Sequence, residues 1–179
     1  MRTLETERLI LRDWKESDLD DLYEYASVEG VGEMAGWPHH ESIETSKRIL
    51  NDFINNGDVY AVELKAQDKV IGSLGIHNRT KDVNYEAKMQ REIGYVLNKA
   101  YWGRGLMPEA VRAAIQYAFE EMGLDVLSVV HYPFNERSKR VIEKCGFIYE
   151  GTQRQASQIY NGDVVDDVCY SILRSEYET

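Results

Sequence analysis

The sequence predicts an α/β protein of the α+β kind. It reads as one domain over residues 1–179, with a mixed, mostly antiparallel twisted sheet of about six to seven strands and about four flanking helices. Three observations carry this. With 179 residues, 43% hydrophobic and 29% charged, the chain can bury the core of one compact domain. No repeat, low-complexity segment or Pro/Gly/Ser-rich linker divides it. Strand patterns come first as neighbouring antiparallel runs, then as a strand–helix–strand unit, which favours a parallel pair with a right-handed crossover.

The elements follow in order. "RLILRDW" (Arg8–Trp14) alternates and predicts a first strand. "ESDLDDLYEYAS" predicts a helix with Ser17 as N-cap and Leu19, Leu22, Tyr23 and Ala26 on one face. The glycine-bearing loop "VEGVGEMAGWPHHES" leads to a second helix, capped by Ser42, whose apolar face holds Ile43, Ile49, Leu50, Phe53 and Ile54. "VYAVELK" and "KVIGSLGIHN", joined through "AQDK", form a hairpin, and "REIGYVLN" is a third strand there. The long helix after it turns Val111, Ala114, Ile115, Ala118, Phe119 and Met122 inward and ends at Gly123. "VLSVVHY" is almost wholly apolar, as in a strand buried on both faces. A short helix runs from Asn135 and stops at Gly146. The remaining "FIYEGTQRQASQIYNGDVVDDVCYSIL" is a hairpin turning at Asn161-Gly162.

The formal charge of −10 argues against a nucleic-acid partner and favours cationic ones such as amines or basic peptides. Cys145 and Cys169 lie far apart with no CxxC, so neither a disulfide framework nor a zinc site is expected, and a reducing cytoplasm is the simplest setting. The opening "MRTLETERLILRDW" lacks the apolar core of a signal peptide, and no apolar run nears the ~20 residues of a membrane span. No membrane partner is expected.

The segment "NKAYWGRGLMPEAVRAAIQYAFEEMG" carries the chemistry. A strand entering a helix through a glycine-rich turn makes an anion site, because the first helical N–H groups are unpaired and the helix dipole favours negative charge. Gly103 and Gly105 allow positive φ, and Pro108 suits a first helical turn. The nucleotide-loop pattern GxxxxGK[ST] is absent, and Pro108 stands where GxGxxG needs its third glycine. On its own the loop remains either a phosphate cradle or a plain tight turn.

Its neighbours narrow the choice. "EIGYVLNKAYWGRGLMPEA" followed by "HYPFNERSKRVIEKCGFIYEG" resembles the GNAT acetyltransferases, in detail their RimJ/RimL-like branch. Trp102-Gly103-Arg104-Gly105-Leu106-Met107 corresponds to the acyl-CoA loop [QR]xxGx[GA], with Trp102 and Met107 as departures that resemble that branch. Asn135, Ser138, Lys144, Gly146 and Phe147 meet the second motif, NxxSxxxxxKxGF. "LETERLILRDWKESDLDDLYE" and "CYSILRSEYE" extend the likeness to essentially the whole chain.

The resemblance implies a GNAT fold in which Glu92–Leu97 and Val126–Tyr132 splay apart into an acyl-CoA cleft, and transfer of an acetyl group from acetyl-CoA to a primary amine by direct attack. It further implies that Val96 and Leu97 pair with the pantetheine as another strand would, and that backbone N–H groups at 103 to 107 hold the pyrophosphate. A backbone N–H near Tyr95–Leu97 would meet the thioester oxygen. Asn135 would reach the pantetheine, cap the following helix, or do both. Arg104 would face a phosphate or solvent. Glu92 is either the base or a charged strand end, and Ser138 either protonates the leaving thiolate or is a small helix residue. Many relatives place a tyrosine for that proton where this chain has Ile142.

Trp37 and His39, beside His40, would wall the acceptor pocket together with His131, which as a strand histidine would otherwise pack or hydrogen-bond. No cluster has metal-ligand spacing, so no metal is expected. The acceptor implied by the resemblance is a protein N-terminus, ribosomal proteins included. A small-molecule amine such as a polyamine or amino sugar, and a CoA-binding module without catalysis, stand as alternatives. Monomer and homodimer are both open.

Overall fold

The computed structural model describes residues 1–78 and 89–178. Eight strands among them form one sheet. A two-residue strand, β1 (Leu4–Glu5), pairs antiparallel with β2 (Leu9–Arg12). Antiparallel pairing continues through β3 (Val59–Leu64), β4 (Lys69–Asn78) and β5 (Gln90–Leu97). β5 then runs parallel to β6 (Val126–His131). The far edge is the hairpin of β7 (Ile148–Gln158) and β8 (Val164–Leu173), with β8 against β6. The strand beyond the six or seven expected is β1, which is too short to show alternation.

Two hydrophobic clusters sandwich the sheet. On one face α1 (Leu19–Ala26) and α2 (Ile43–Asn56) contribute Leu22, Tyr25, Ala26 and Leu50, packed on Ala61 and Val70. On the other, α3 (Leu106–Glu120) and α4 (Glu136–Lys144) pack on Tyr60, Val62, Ile71, Ile93 and Leu127. Tyr60, Ala61 and Val62 thus alternate between the two layers, as strand geometry requires. Val111, Ala114, Ile115, Ala118 and Phe119 are buried, each large one contributing about 1.5–3 kcal/mol by leaving water. Met122 is only partly buried, because α3 ends at Glu120 and the chain closes through Gly123 at φ +71°.

One of the two expected N-caps differs from expectation. Ser42 caps α2 as expected, its hydroxyl accepting the Thr45 N–H at 3.4 Å. Ser17 does not cap α1: it lies inside a 3-10 turn, Glu16–Asp18, and Asp18 occupies the cap position. Asp18 is 5% exposed, and its carboxylate accepts the Lys15 N–H and pairs with Arg12. A buried carboxylate needs such a partner, and securing Arg12 fixes the entry to the helix. The C-terminal helix α5 (Arg174–Tyr177), a single turn, carries no periodic pattern. None of the described helices is long and apolar enough to cross a membrane.

The sheet opens where β5 meets β6. Their register covers only Gln90–Val126, Arg91–Leu127 and Glu92–Ser128. Beyond it β5 follows β4 as far as Gly72–Leu97, while β6 follows β8 as far as His131–Val168. Gly72 permits the first course, since a Cβ there would lie 2.3 Å from the Val96 carbonyl oxygen. Held by different neighbours, the strands part as the resemblance implied.

Candidate active site

The gap between β5 and β6 leads to the N-terminus of α3. Gly103 and Gly105 adopt φ +78° and +74°, a region costly to residues with a Cβ, and bring the backbone into the helix. The first intrahelical bond runs from the Glu109 N–H to the Gly105 carbonyl, so the N–H groups of Leu106 and Met107 precede the helical ladder. Arg8 braces the turn: it donates to the Arg104 carbonyl at 3.0 Å and to Glu109 at 2.7 Å. Against the opposing effect of burial, hydrogen bonds from Thr6 and Arg8 hold the Glu109 carboxyl below its ordinary range. Trp102 donates its indole N–H to the Leu97 carbonyl at 2.7 Å, and the Arg137 guanidinium lies 4.5 Å from the centre of its ring.

A cavity of about 240 Å³ occupies this corner, walled by Tyr95, Val96, Leu97, Trp102, Gly103, Gly105, Leu106 and Met107 and rimmed by Arg137, Arg140 and Lys144. A second, about 160 Å³, extends along the gap past Glu92, Gly94, His131 and Tyr132. Met34, Ala35, Tyr95, Asn135 and Ser138 line both, so the two form one groove from the head of α3 to Glu92.

Strand geometry decides which backbone groups face that groove. The Asn98 N–H bonds the Ile71 carbonyl, which fixes the phase of the antiparallel ladder between β4 and β5. Alternation then commits the N–H and C=O of Val96 to β4 and turns those of Tyr95 and Leu97 toward the gap. Val96 is therefore not a free backbone partner, whatever its side chain touches, and the Leu97 carbonyl already accepts from Trp102. The N–H groups of Tyr95 and Leu97 remain in position for an extended ligand.

Across the groove, Asn135 caps α4: its side-chain oxygen accepts the Ser138 N–H at 3.0 Å. Its amide also donates to the Met34 carbonyl at 2.9 Å, tying α4 to the loop that follows α1. Ser138 faces the groove with its hydroxyl 3.0 Å from the Tyr95 phenol. One turn further on, Ile142 is fully buried in the core.

The acceptor-side residues are divided. Glu92 lines the gap and shares a strand face with its register partner Ser128. Burial first, and then the charges of Asp167 and Glu92, push the nearby Tyr132 phenol up. His131 is 6% exposed, donating from Nδ1 to the Tyr132 carbonyl at 2.8 Å, with its ring 5.7 Å from that of Tyr170. Trp37 packs against the α1–α2 layer and His40, and it lies with His39 outside the groove lining. His39 instead pairs with Glu33 at 2.8 Å, while Glu33 also accepts the N–H groups of Gly30 and His39. Arg104 folds back onto the Ala100 carbonyl and the Tyr101 ring rather than into the cavity.

Sequence reasoning missed Met34, Ala35, Tyr132, Arg137 and Arg140. The basic rim was legible: Arg137, Arg140 and Lys144 recur at i, i+3 and i+7 of one helix, beside the recognised Asn135 and Ser138. Met34 and Ala35 sit in a loop whose course no periodicity encodes. Among the described residues no group of histidines, cysteines and acids could hold a metal ion.

Residues 8–148 match the Acetyltransferase (GNAT) domain family. The chain is 30% identical to the uncharacterized N-acetyltransferase YoaA of Bacillus subtilis, covering 96% of each protein. It is 31% identical to the ribosomal-protein-serine acetyltransferase of Escherichia coli, over 74% of this chain and 72% of that one. The crystal structure of a GNAT-family acetyltransferase from Bacillus anthracis superposes with a TM-score of 0.86 at 27% identity, covering 98% of this chain and 100% of that one. The chain belongs to the GNAT acetyltransferase family and is an N-acetyltransferase, of a family that takes its acetyl group from acetyl-CoA.

Proposed function

We propose that this enzyme transfers the acetyl group of acetyl-CoA to the α-amino group of a protein N-terminus, by direct attack in a ternary complex, as one catalytic domain in the cytoplasm. The observation that carries the reading is the continuous groove between β5 and β6, with a helix N-terminus at one end and Glu92 at the other. The N–H groups of residues 103 to 107 hold the pyrophosphate, with Arg137, Arg140 and Lys144 as neutralising charge at the rim. Leu97 pairs through its N–H with the pantetheine, and the Tyr95 N–H donates to the thioester oxygen. Wall residues Met34 and Ala35 keep the arm from water.

The chemistry needs the amine neutral and the sulfur stabilised. Glu92 takes the amine's proton, directly or through water, as nitrogen attacks the thioester carbonyl. When the C–S bond breaks, its electron pair stays on sulfur, and the Ser138 hydroxyl donates to it. The thiolate then takes a proton from water and Glu92 returns one. The acceptor class rests on the Escherichia coli relative named for a ribosomal-protein serine, and on a 160 Å³ inner chamber that suits a chain end.

An amine panel tests this by thiol release from acetyl-CoA, with N-terminal peptides, a polyamine and an amino sugar as acceptors. A peptide beginning with serine is expected to turn over with the highest kcat/KM. Faster turnover of the polyamine or amino sugar would move the acceptor to a small molecule. Glu92→Gln should lower kcat on the preferred amine by about 100-fold at unchanged acetyl-CoA KM; an unchanged rate would remove Glu92 as the base.

A further inference from the structure

Tyr95 and Ser138 stand at the junction of the two chambers, where the thioester must lie if the donor runs from the head of α3 toward Glu92. The inference therefore rests on the function proposed above. Ser138 is a poor donor left to itself. In the first turn of α4 its hydroxyl can rotate among several directions, including back toward the preceding turn, where serine hydroxyls commonly bond.

The phenol removes that freedom. Two oxygens of the same residue lie within its reach, the Ser138 hydroxyl at 3.0 Å and the Ser138 carbonyl at 3.2 Å. Burial pushes the Tyr95 phenol well up from its ordinary value, against the hydrogen bond with Ser138 that lowers it, so the phenol keeps its proton. Either hydroxyl can donate across that contact; with a thiolate beside Ser138 to accept from the serine hydroxyl, the phenol donates and the Ser138 oxygen accepts on that side. A hydroxyl that accepts one bond also donates the next more strongly.

We propose that Tyr95 is the positioning residue for Ser138: its phenol fixes the serine hydroxyl so that the serine proton faces the sulfur of the departing coenzyme A thiolate. The strand thereby supplies the aromatic hydroxyl that α4 cannot, since Ile142 has no polar atom and lies in the core. No proton leaves Tyr95. The phenol polarises and orients, the serine donates a hydrogen bond to sulfur, and the thiolate is finally protonated by water.

The test reads the thiol of bound coenzyme A, so it needs no acceptor. The probe is free coenzyme A saturating the wild-type protein, Tyr95→Phe, Ser138→Ala and the double variant, with thiolate absorbance followed against pH and thermal unfolding checked for each. The wild type should lower the bound thiol's pKa. Each single variant should raise it from that value by about one unit, the tenfold change expected of one hydrogen bond to a charged acceptor. The double variant should match Ser138→Ala, because Tyr95 acts only through the serine. Tyr95→Phe should also lower kcat about tenfold with acetyl-CoA KM unchanged.

A wild-type thiol pKa in Tyr95→Phe would overturn the inference while leaving the acetyltransfer reading intact. So would a double variant shifted by the sum of the two single effects. Failure of the folded wild-type protein to bind coenzyme A would overturn both.

Discussion

Glu33 shows how much one side chain can organise. Its carboxylate gathers the N–H groups of Gly30 and His39 and the His39 ring, and so closes the loop that delivers Met34 and Ala35 to the groove. Burial opposes its ionisation, yet these hydrogen bonds win and hold the carboxyl down to about 2. His39 moves the other way: its bond to Glu33, against desolvation, raises its pKa. The signs set a window. The Glu33 contribution is present above the unfolded carboxyl's pKa of about 4.3 and is lost as pH falls toward about 2. The His39 contribution is complete below the unfolded imidazole's pKa of about 6.5 and is lost as pH rises through its raised folded value. In thermal unfolding, the stability deficit of His39→Gln against the wild type should be largest near about pH 5 and shrink above about pH 8. A deficit independent of pH would show that the imidazole charge contributes nothing to the clasp. The sequence marked His39 as part of an acceptor wall; the structure gives it a partner in Glu33, six residues earlier in the same loop, a pairing that no spacing rule encodes.

At the level of elements, the turn into α3 is the part the sequence described best. Two glycines, a proline in the first turn and the amphipathic run after it each imply the observed geometry, because all are local backbone requirements. What it could not give is the brace from Arg8, which lies about 100 residues away in sequence and reaches both the Arg104 carbonyl and Glu109. The ladder phase that commits Val96 to β4 was equally hidden, since it depends on register against a neighbouring strand. Gly105→Glu puts a carboxylate and a side chain at φ +74° into the cavity mouth, where the nearest protein atom to a new Cβ is an Arg8 nitrogen at 3.7 Å. The variant should fold with a stability loss of about 1–2 kcal/mol from the left-handed backbone. It should also lose the thermal stabilisation that saturating acetyl-CoA gives the wild type. Retained stabilisation would place the anion site elsewhere.

For the molecule as a whole, the order of strands matters more than their number. The helical and sheet layers were legible from periodicity, whereas the short β1 and the single-turn α5 fell below the length at which a pattern can register. The parting of β5 from β6 leaves backbone N–H groups of Tyr95 and Leu97 facing a gap in an otherwise continuous sheet. Amide hydrogen exchange should find these two amides faster than those of Val96 and of the paired half of β5, and slowed about tenfold or more by acetyl-CoA. Equal exchange with and without the donor would mean that it does not pair with the strand.

The loop carrying Met34 is fastened twice: Asn135 holds the Met34 carbonyl, and the Tyr160 N–H at the hairpin tip holds the Gly36 carbonyl at 3.1 Å. Those two fastenings make it a crossbar over the groove rather than a flap beside it. If the donor lies in the groove as proposed, it is threaded lengthwise from the α3 end and its spent carrier is drawn back the same way. On that course the acetylated amine withdraws past Glu92, so the two products part in opposite directions.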